Sequence, residues 1–312
     1  MGTYYQVTFE DYDDKHQHAI DSILIKLNKE LSTYDPESLI SAFNTSFDGI
    51  TLHDDQWDLE SFKINLDLAK QINQLSNGAF DPSLMPVINY WGFGYEGKKA
   101  INQIDSAKVK SLLKQTGIHQ VELDLNTKRV SKSVDGLELD FSAIAKGHGV
   151  DLVATYLEDK QVVNYLVDIG GESRGKGVNA KGNNWTLGIS TPLIDAGYSE
   201  SSEYVQLKNK SLATSGNYRN YLETDSGRTS GHTIDARTGF PAETDMLSAS
   251  VIAEDCISAD AWATTFMAMG VKKSKQLIEE LDDIEALFIF GTHNSELEIW
   301  QSSGFGQFIF NQ

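Results

Sequence analysis

Val163-Asn-Tyr-Leu-Val-Asp-Ile-Gly-Gly171 is the stretch whose reading decides the fold class. Residues 163–169 combine β-branched, aromatic and aliphatic side chains over strand length, and Gly170-Gly171 supplies the turn that ends them. A helix over about 142–158 precedes this strand. Beyond the turn the chain continues into further strands rather than another helix, among them Trp185–Ile189 and Leu247–Ala253. A doubly wound parallel sheet would alternate strand and helix regularly. That cadence is missing here, so the chain reads as α+β with a mixed or antiparallel sheet.

Working outward, residues 2–10 alternate like a first strand, and residues 13–33 place Ile20, Ile23, Leu27 and Leu31 on one helical face. A turn-rich stretch spans 32–44. The next helix runs over about 58–76, with Asp58 as its expected N-cap and Asn77-Gly78 as its stop. Another helix begins at Ser106 and ends at Gly117, and strands are expected at Val121–Leu125 and Leu137–Phe141. Helices are also expected through Asp260 up to Gly270 and over 272–281. No repeat or Pro-rich linker divides the sequence. It reads as one domain over 1–312, with a helical subdomain about 58–117.

The chain carries 45 acidic and 26 basic residues, a formal charge of −19. That argues against nucleic-acid partners, and an anionic substrate would need local attraction from a metal, a helix start or a single Lys. The lone Cys256 excludes an intrachain disulfide framework and reads as a buried packing residue. There is no apolar run long enough for a transmembrane helix, and no signal peptide is visible. Gly92-Phe-Gly-Tyr-Glu-Gly97 matches a dinucleotide-binding pattern but lacks the strand before it and the helix after it. The seven histidines contain no H-x-x-x-H pair.

Four segments carry chemistry. Ser258-Ala-Asp-Ala-Trp-Ala-Thr-Thr265 sets Asp260 and Thr264 four residues apart on one helix face, a pair of hard oxygen donors of the kind Mg²⁺ prefers. An ordinary helix start would show the same pair. Asp140-Phe-Ser-Ala-Ile-Ala-Lys-Gly-His-Gly-Val-Asp151 brings a strand into a helix start bearing Lys146. Its N–H groups and amine suit a phosphate, although a capped helix with a surface Lys reads equally well. Gly78-Ala-Phe-Asp-Pro-Ser83 is a turn expected to expose Asp81, or simply a turn. The fourth region joins Thr214-Ser-Gly to His232-Thr-Ile-Asp-Ala-Arg-Thr-Gly239, where His232 is either a general base or a structural histidine.

Taken in this order, with Met1-Gly-Thr, Ser32-Thr-Tyr-Asp-Pro…Ser38…Asn44 and Asp168-Ile-Gly-Gly171, these segments resemble the ApbE family of FAD:protein FMN transferases. The resemblance covers nearly the whole chain. It implies a core related to the T-fold and Mg²⁺-dependent attachment of FMN, taken from FAD, to a Thr or Ser of an acceptor flavoprotein, with AMP released. It assigns the metal to Asp260, Thr264 and a backbone carbonyl best placed at Ala143. FAD contacts map onto Met1, Tyr34, Ala79, Phe80, Asp81, Asp140 and Lys146, with Tyr34 against the flavin ring, and His232 is the expected base. Phe141-Ser-Ala-Ile and Asp235-Ala-Arg depart from the commoner Leu-Gly-Gly-Ile and Asp-Pro-Arg without removing an oxygen ligand, and Ala263 stands where some members carry a second acid. The resemblance also implies a bacterial extracytoplasmic lipoprotein whose anchor segment is missing here. Two other activities fit the same residues: FAD pyrophosphatase chemistry giving FMN and AMP, and FAD binding without turnover.

Overall fold

The computed structural model of the chain describes residues 2–10, 13–53, 57, 59–95, 104–190, 201–216, 221–223, 229–231, 233–242, 244–291 and 297–310. Packing divides them into two units. The first holds residues 24–145 and 234–241; the second holds 2–23, 146–233 and 242–310.

In the first unit the helices Leu39–Thr45, Glu60–Leu75, Met85–Tyr90 and Ser106–Leu112 accompany a small antiparallel sheet. Its strands are Gly49–Thr51, Arg129–Lys132 and Val121–Asp124, with Arg129–Lys132 in the middle. Phe62 stands edge-on to Phe141 at 5.5 Å between ring centroids and tilts against Phe43, and all three rings are fully buried. Leu39–Thr45 lies within the segment that reads as turns. Ser38 caps it by accepting the Ser41 N–H at 3.1 Å, and Leu39, Ile40 and Phe43 anchor it in the core. The Glu60–Leu75 helix begins after Leu59, which sits at φ 66° and gives no side-chain cap; the expected cap, Asp58, lies outside the described residues.

Leu137–Phe141 is not a strand. It makes a lone bridge, Glu138 to Leu84, and its remaining polar groups find side chains. Asn44 pairs with the Leu139 backbone in both directions, accepting its N–H at 2.7 Å and donating to its carbonyl at 2.9 Å. The buried Lys132 ammonium donates to the carbonyls of Phe43, Asn44 and Leu137 at 3.1, 3.2 and 2.8 Å. An extended segment satisfied in this way needs no neighbouring strand.

In the second unit, among the described residues, seven strands form one antiparallel sheet in simple chain order. They are β1 (Tyr5–Phe9), β2 (Tyr165–Ile169), β3 (Glu172–Lys176), β4 (Lys210–Gly216), β5 (Met246–Ala253), β6 (Glu285–Gly291) and β7 (Leu297–Gln301). The Gly170-Gly171 turn, at φ 66° and 106°, joins β2 to β3 as a hairpin. Successive residues face opposite sides of a strand. Leu287 and Ile289 meet one layer, made by the hairpin Trp185–Ser190/Ser201–Leu207 and the turn Phe305–Phe308. Phe288 meets the other side, edge-on to Phe266 at 5.3 Å. Phe266 belongs to the helix Cys256–Met269, which packs over β4 and β5 and is buried on nearly every side. No described helix is long and apolar enough to cross a membrane.

Candidate active site

The helix Cys256–Met269 starts under two carboxylates. Asp255 caps it by accepting the Ser258 N–H at 2.9 Å. Asp151, from the helix Ala145–Asp159, accepts the N–H groups of Cys256 and Ile257 at 2.9 and 2.8 Å. Acids at a helix N-terminus satisfy orphan donors and oppose the macrodipole. Burial pushes the Asp151 carboxyl up, against its hydrogen bonds to this helix start and to the Arg174 guanidinium, whose Nη1 lies 2.7 Å away. Asp151→Ala would leave Arg174 without its nearest carboxylate and two N–H groups uncapped. The expected loss is about 3 kcal/mol in unfolding free energy, read by urea titration.

The two helices approach most closely at Gly147. A Cβ there would stand 2.2 Å from the Cys256 carbonyl oxygen and 2.8 Å from the Ile257 Cα. The bare glycine lets its N–H reach Asp260 Oδ2 at 3.0 Å. One residue earlier, the Lys146 ammonium lies 3.4 Å from Asp260 Oδ1 and 2.8 Å from Glu172 Oε1. Asp260 is 2% and Glu172 4% exposed, so these are charges in a low-dielectric interior.

Their ionisation is governed by that burial. Burial and the charge of Asp260 push Glu172 up to about 8, against the pull of Lys146. Burial raises Asp260 as well, opposed by Lys146 and the Gly147 N–H. Burial alone would lower the Lys146 amine, but the two carboxylates outweigh it and hold the amine above the ordinary lysine range. The second Glu172 oxygen, Oε2, is buried without a hydrogen-bond partner. One turn beyond Asp260, the half-buried Thr264 hydroxyl lies 3.1 Å from Ser215 Oγ on β4. Asp260, Thr264, Ser215 and Glu172 thus form a set of hard oxygen donors around one ammonium. Among the described residues, no three His, Cys, Asp or Glu side chains are grouped to hold a metal ion by themselves.

Cys256 is fully buried, as its sequence context suggests, and burial pushes its thiol well up. Beside Gly147, His148 is 3% exposed and burial pushes its imidazole down to about 4. A folded pKa below the unfolded value near 6.5 means that the unfolded chain takes up the proton first. The contribution is therefore intact above pH 6.5 and lost as pH falls toward 4. Between pH 7 and pH 4 the parent should lose about 3 kcal/mol relative to His148→Gln, read from paired denaturant melts.

The other expected site residues belong to the first unit, except two. Asp140 accepts the Ser142 N–H at 3.0 Å and the Ser142 hydroxyl at 2.7 Å, and burial pushes its carboxyl up. It thereby caps the turn 142–144, which contains Ala143 and leads into the Lys146 helix. Ala79 and Phe80 are buried. Asp81 is not held open to solvent as the turn reading predicts. It is half-buried and engaged with the Ser83 N–H and hydroxyl at 2.9 and 2.6 Å and the Ile118 N–H at 3.2 Å. Tyr34 is 75% exposed, its ring open to a stacking partner. Met1 and His232 lie outside the described residues.

Three participants escape a reading of the sequence alone. Glu172 comes directly after a Gly-Gly turn at a strand start, where an acidic residue normally faces water. Ser215 sits in the Thr214-Ser-Gly segment, but its neighbour Thr264 is distant in sequence. Gly147 looks like one more small residue until the second helix is in place.

The family model described as the ApbE family matches residues 1–288. The chain is 35% identical over 316 aligned residues to an FAD:protein FMN transferase of Vibrio cholerae, covering 99% of this chain and 90% of that protein. It is 33% identical over 308 aligned residues to an FAD:protein FMN transferase of Haemophilus influenzae, covering 94% and 85%. Its structure is similar to that of the flavin transferase ApbE from Vibrio cholerae, with a TM-score of 0.84 at 33% identity over 99% of this chain and 96% of the other. The flavinyl transferase ApbE of Pseudomonas stutzeri, in its apo form, superposes with a TM-score of 0.85 at 30% identity, covering 99% and 94%. With the family match spanning most of the sequence and the α+β architecture shared throughout, the chain belongs to the ApbE family.

Proposed function

We propose that this protein is a Mg²⁺-dependent FAD:protein FMN transferase. It joins the FMN part of FAD, through its phosphate, to a Thr or Ser hydroxyl of an acceptor flavoprotein. The observation that carries this reading is the buried set of Asp260, Thr264, Ser215, Lys146 and the orphaned Glu172 oxygen on one helix face and the strands beneath it. Such oxygens suit a small hard cation, and the scarcity of protein carboxylates leaves coordination positions for phosphate and water.

Asp260 and Thr264 would hold the cation together with the Ala143 carbonyl. When bound, Mg²⁺ supplies neutralisation of charge on the pyrophosphate of FAD. Lys146 adds a point charge for the same phosphates. Tyr34 offers its exposed ring to the flavin, while Met1, Ala79, Phe80, Asp81 and Asp140 shape the remaining FAD contacts. His232 takes the proton of the acceptor hydroxyl as its oxygen bonds to the FMN phosphorus. The bridging P–O bond to the other phosphate breaks, and AMP leaves with the electron pair.

Chromatography of the small-molecule products tests this reading. With FAD, Mg²⁺ and an acceptor domain, AMP should accumulate while the flavin co-elutes with protein, and EDTA should stop both. Equal amounts of free FMN and AMP, unaffected by acceptor, would instead identify a pyrophosphatase. FAD bound and recovered intact would identify a carrier.

A further inference from the structure

Lys146 is shared unequally. Its ammonium is 2.8 Å from Glu172 and 3.4 Å from Asp260, so its nearer partner is not the residue proposed to hold the cation. Glu172 is fixed for this task. It opens β3 directly after the Gly170-Gly171 turn, its side chain is 4% exposed, and its backbone is registered against Ile169. Asp260 has one oxygen on the Gly147 N–H and the other on the long contact to Lys146. A cation reaching Asp260 must displace or share that ammonium, since two cations on one carboxylate repel each other.

We propose that Glu172 is a positioning residue that holds the Lys146 ammonium away from Asp260 and so leaves that carboxylate available to the divalent cation. This inference rests on the metal reading of Asp260 above. Without Glu172, Asp260 becomes the remaining carboxylate beside the Lys146 ammonium, which then competes with the cation for it. With Glu172 present, the ammonium stays at the site while Asp260 turns to the metal. Glu172 therefore acts through Lys146, rather than through its negative charge alone.

The test is Mn²⁺ binding to the metal-free full chain without FAD, monitored by the EPR signal of the free ion, with Mn²⁺ standing in for Mg²⁺. Glu172→Gln should raise the Mn²⁺ dissociation constant about tenfold. Glu172→Asp keeps the charge but withdraws it by one methylene, and it should resemble Glu172→Gln rather than the parent. In a Lys146→Met background the competing ammonium is gone, so the Glu172→Gln penalty should shrink to about twofold, a coupling that only a double-mutant cycle exposes. Equal penalties in both backgrounds, or Glu172→Asp binding like the parent, would overturn the proposal and leave Glu172 as a source of field only. A parent that binds no Mn²⁺, or binds it undiminished after Asp260→Ala, would overturn the metal reading itself and this inference with it. Thermal melts accompany each variant. If Glu172→Gln does not fold, Glu172→Asp carries the same comparison against the parent and in the Lys146→Met background.

Discussion

Asp260→Asn is expected to abolish flavin transfer while leaving the fold as stable as the parent, or more so. The carboxylate is 2% exposed, and its burial outweighs the stabilising contacts of Lys146 and the Gly147 N–H. An isosteric amide removes the buried charge yet can still accept the Gly147 hydrogen bond. Lys146 keeps its closer partner, Glu172, at 2.8 Å. Replacing a buried charge by a neutral group of the same shape is often neutral for stability or favourable by about 1 kcal/mol. Activity should respond quite differently. A neutral amide is a much poorer ligand for a hard cation, and losing several kcal/mol of charge stabilisation corresponds to at least about a thousandfold in rate. The check is AMP release at saturating FAD and Mg²⁺, beside a thermal melt. A structural Asp260 would give the opposite pattern, with a lowered melting temperature and turnover within about tenfold of the parent.

Gly147→Ala should be the most damaging single methyl in the second unit. Its Cβ would meet Cys256 O at 2.2 Å and Ile257 Cα at 2.8 Å, and both are backbone atoms that cannot rotate away. The two helices must separate or the Ala145–Asp159 helix must bend, and either movement pulls the residue-147 N–H off Asp260. Overpacking of this kind costs about 3 kcal/mol, near the upper end of the usual range. For a unit of this size, each kcal/mol lowers the melting temperature by about 2–4 °C. The melt should therefore fall by roughly 10 °C, and the cation requirement should rise because Asp260 loses an anchor. Ala at neighbouring Gly149 provides a control in the same helix. A Gly147→Ala protein that melts with the parent would show that the helices leave room for a methyl group after all.

Much of this architecture is legible in the sequence because it depends on local pattern. The strand Tyr165–Ile169, the Gly-Gly turn and the absence of a helix after it identify the α+β class without any tertiary knowledge. The four-residue spacing of Asp260 and Thr264 survives because helix geometry is itself local. What escapes is set by distant partners. Leu137–Phe141 has strand composition, but Asn44 and Lys132, far upstream and just before it, take its backbone groups. Leu39–Thr45 is hidden by the turn residues before it, and its helix is secured by burial of Leu39, Ile40 and Phe43 rather than by propensity. Asp81 lies in a turn that its sequence identifies, yet the Ser83 and Ile118 groups it binds determine its exposure. Glu172 is the largest omission. Its burial arises only when β3, the Lys146 helix and the Asp260 helix converge, and no spacing rule anticipates that.

The central claim is that a divalent cation on Asp260 drives transfer of FMN to protein. Intact-mass spectrometry of an acceptor flavoprotein domain, after incubation with this protein, FAD and Mg²⁺, tests it most directly. Parallel samples contain EDTA or the Asp260→Asn protein. The account predicts a single FMN adduct, located by fragmentation on one Thr or Ser, and its loss in both parallel samples. An adduct of undiminished yield with Asp260→Asn, or with EDTA present, would contradict it.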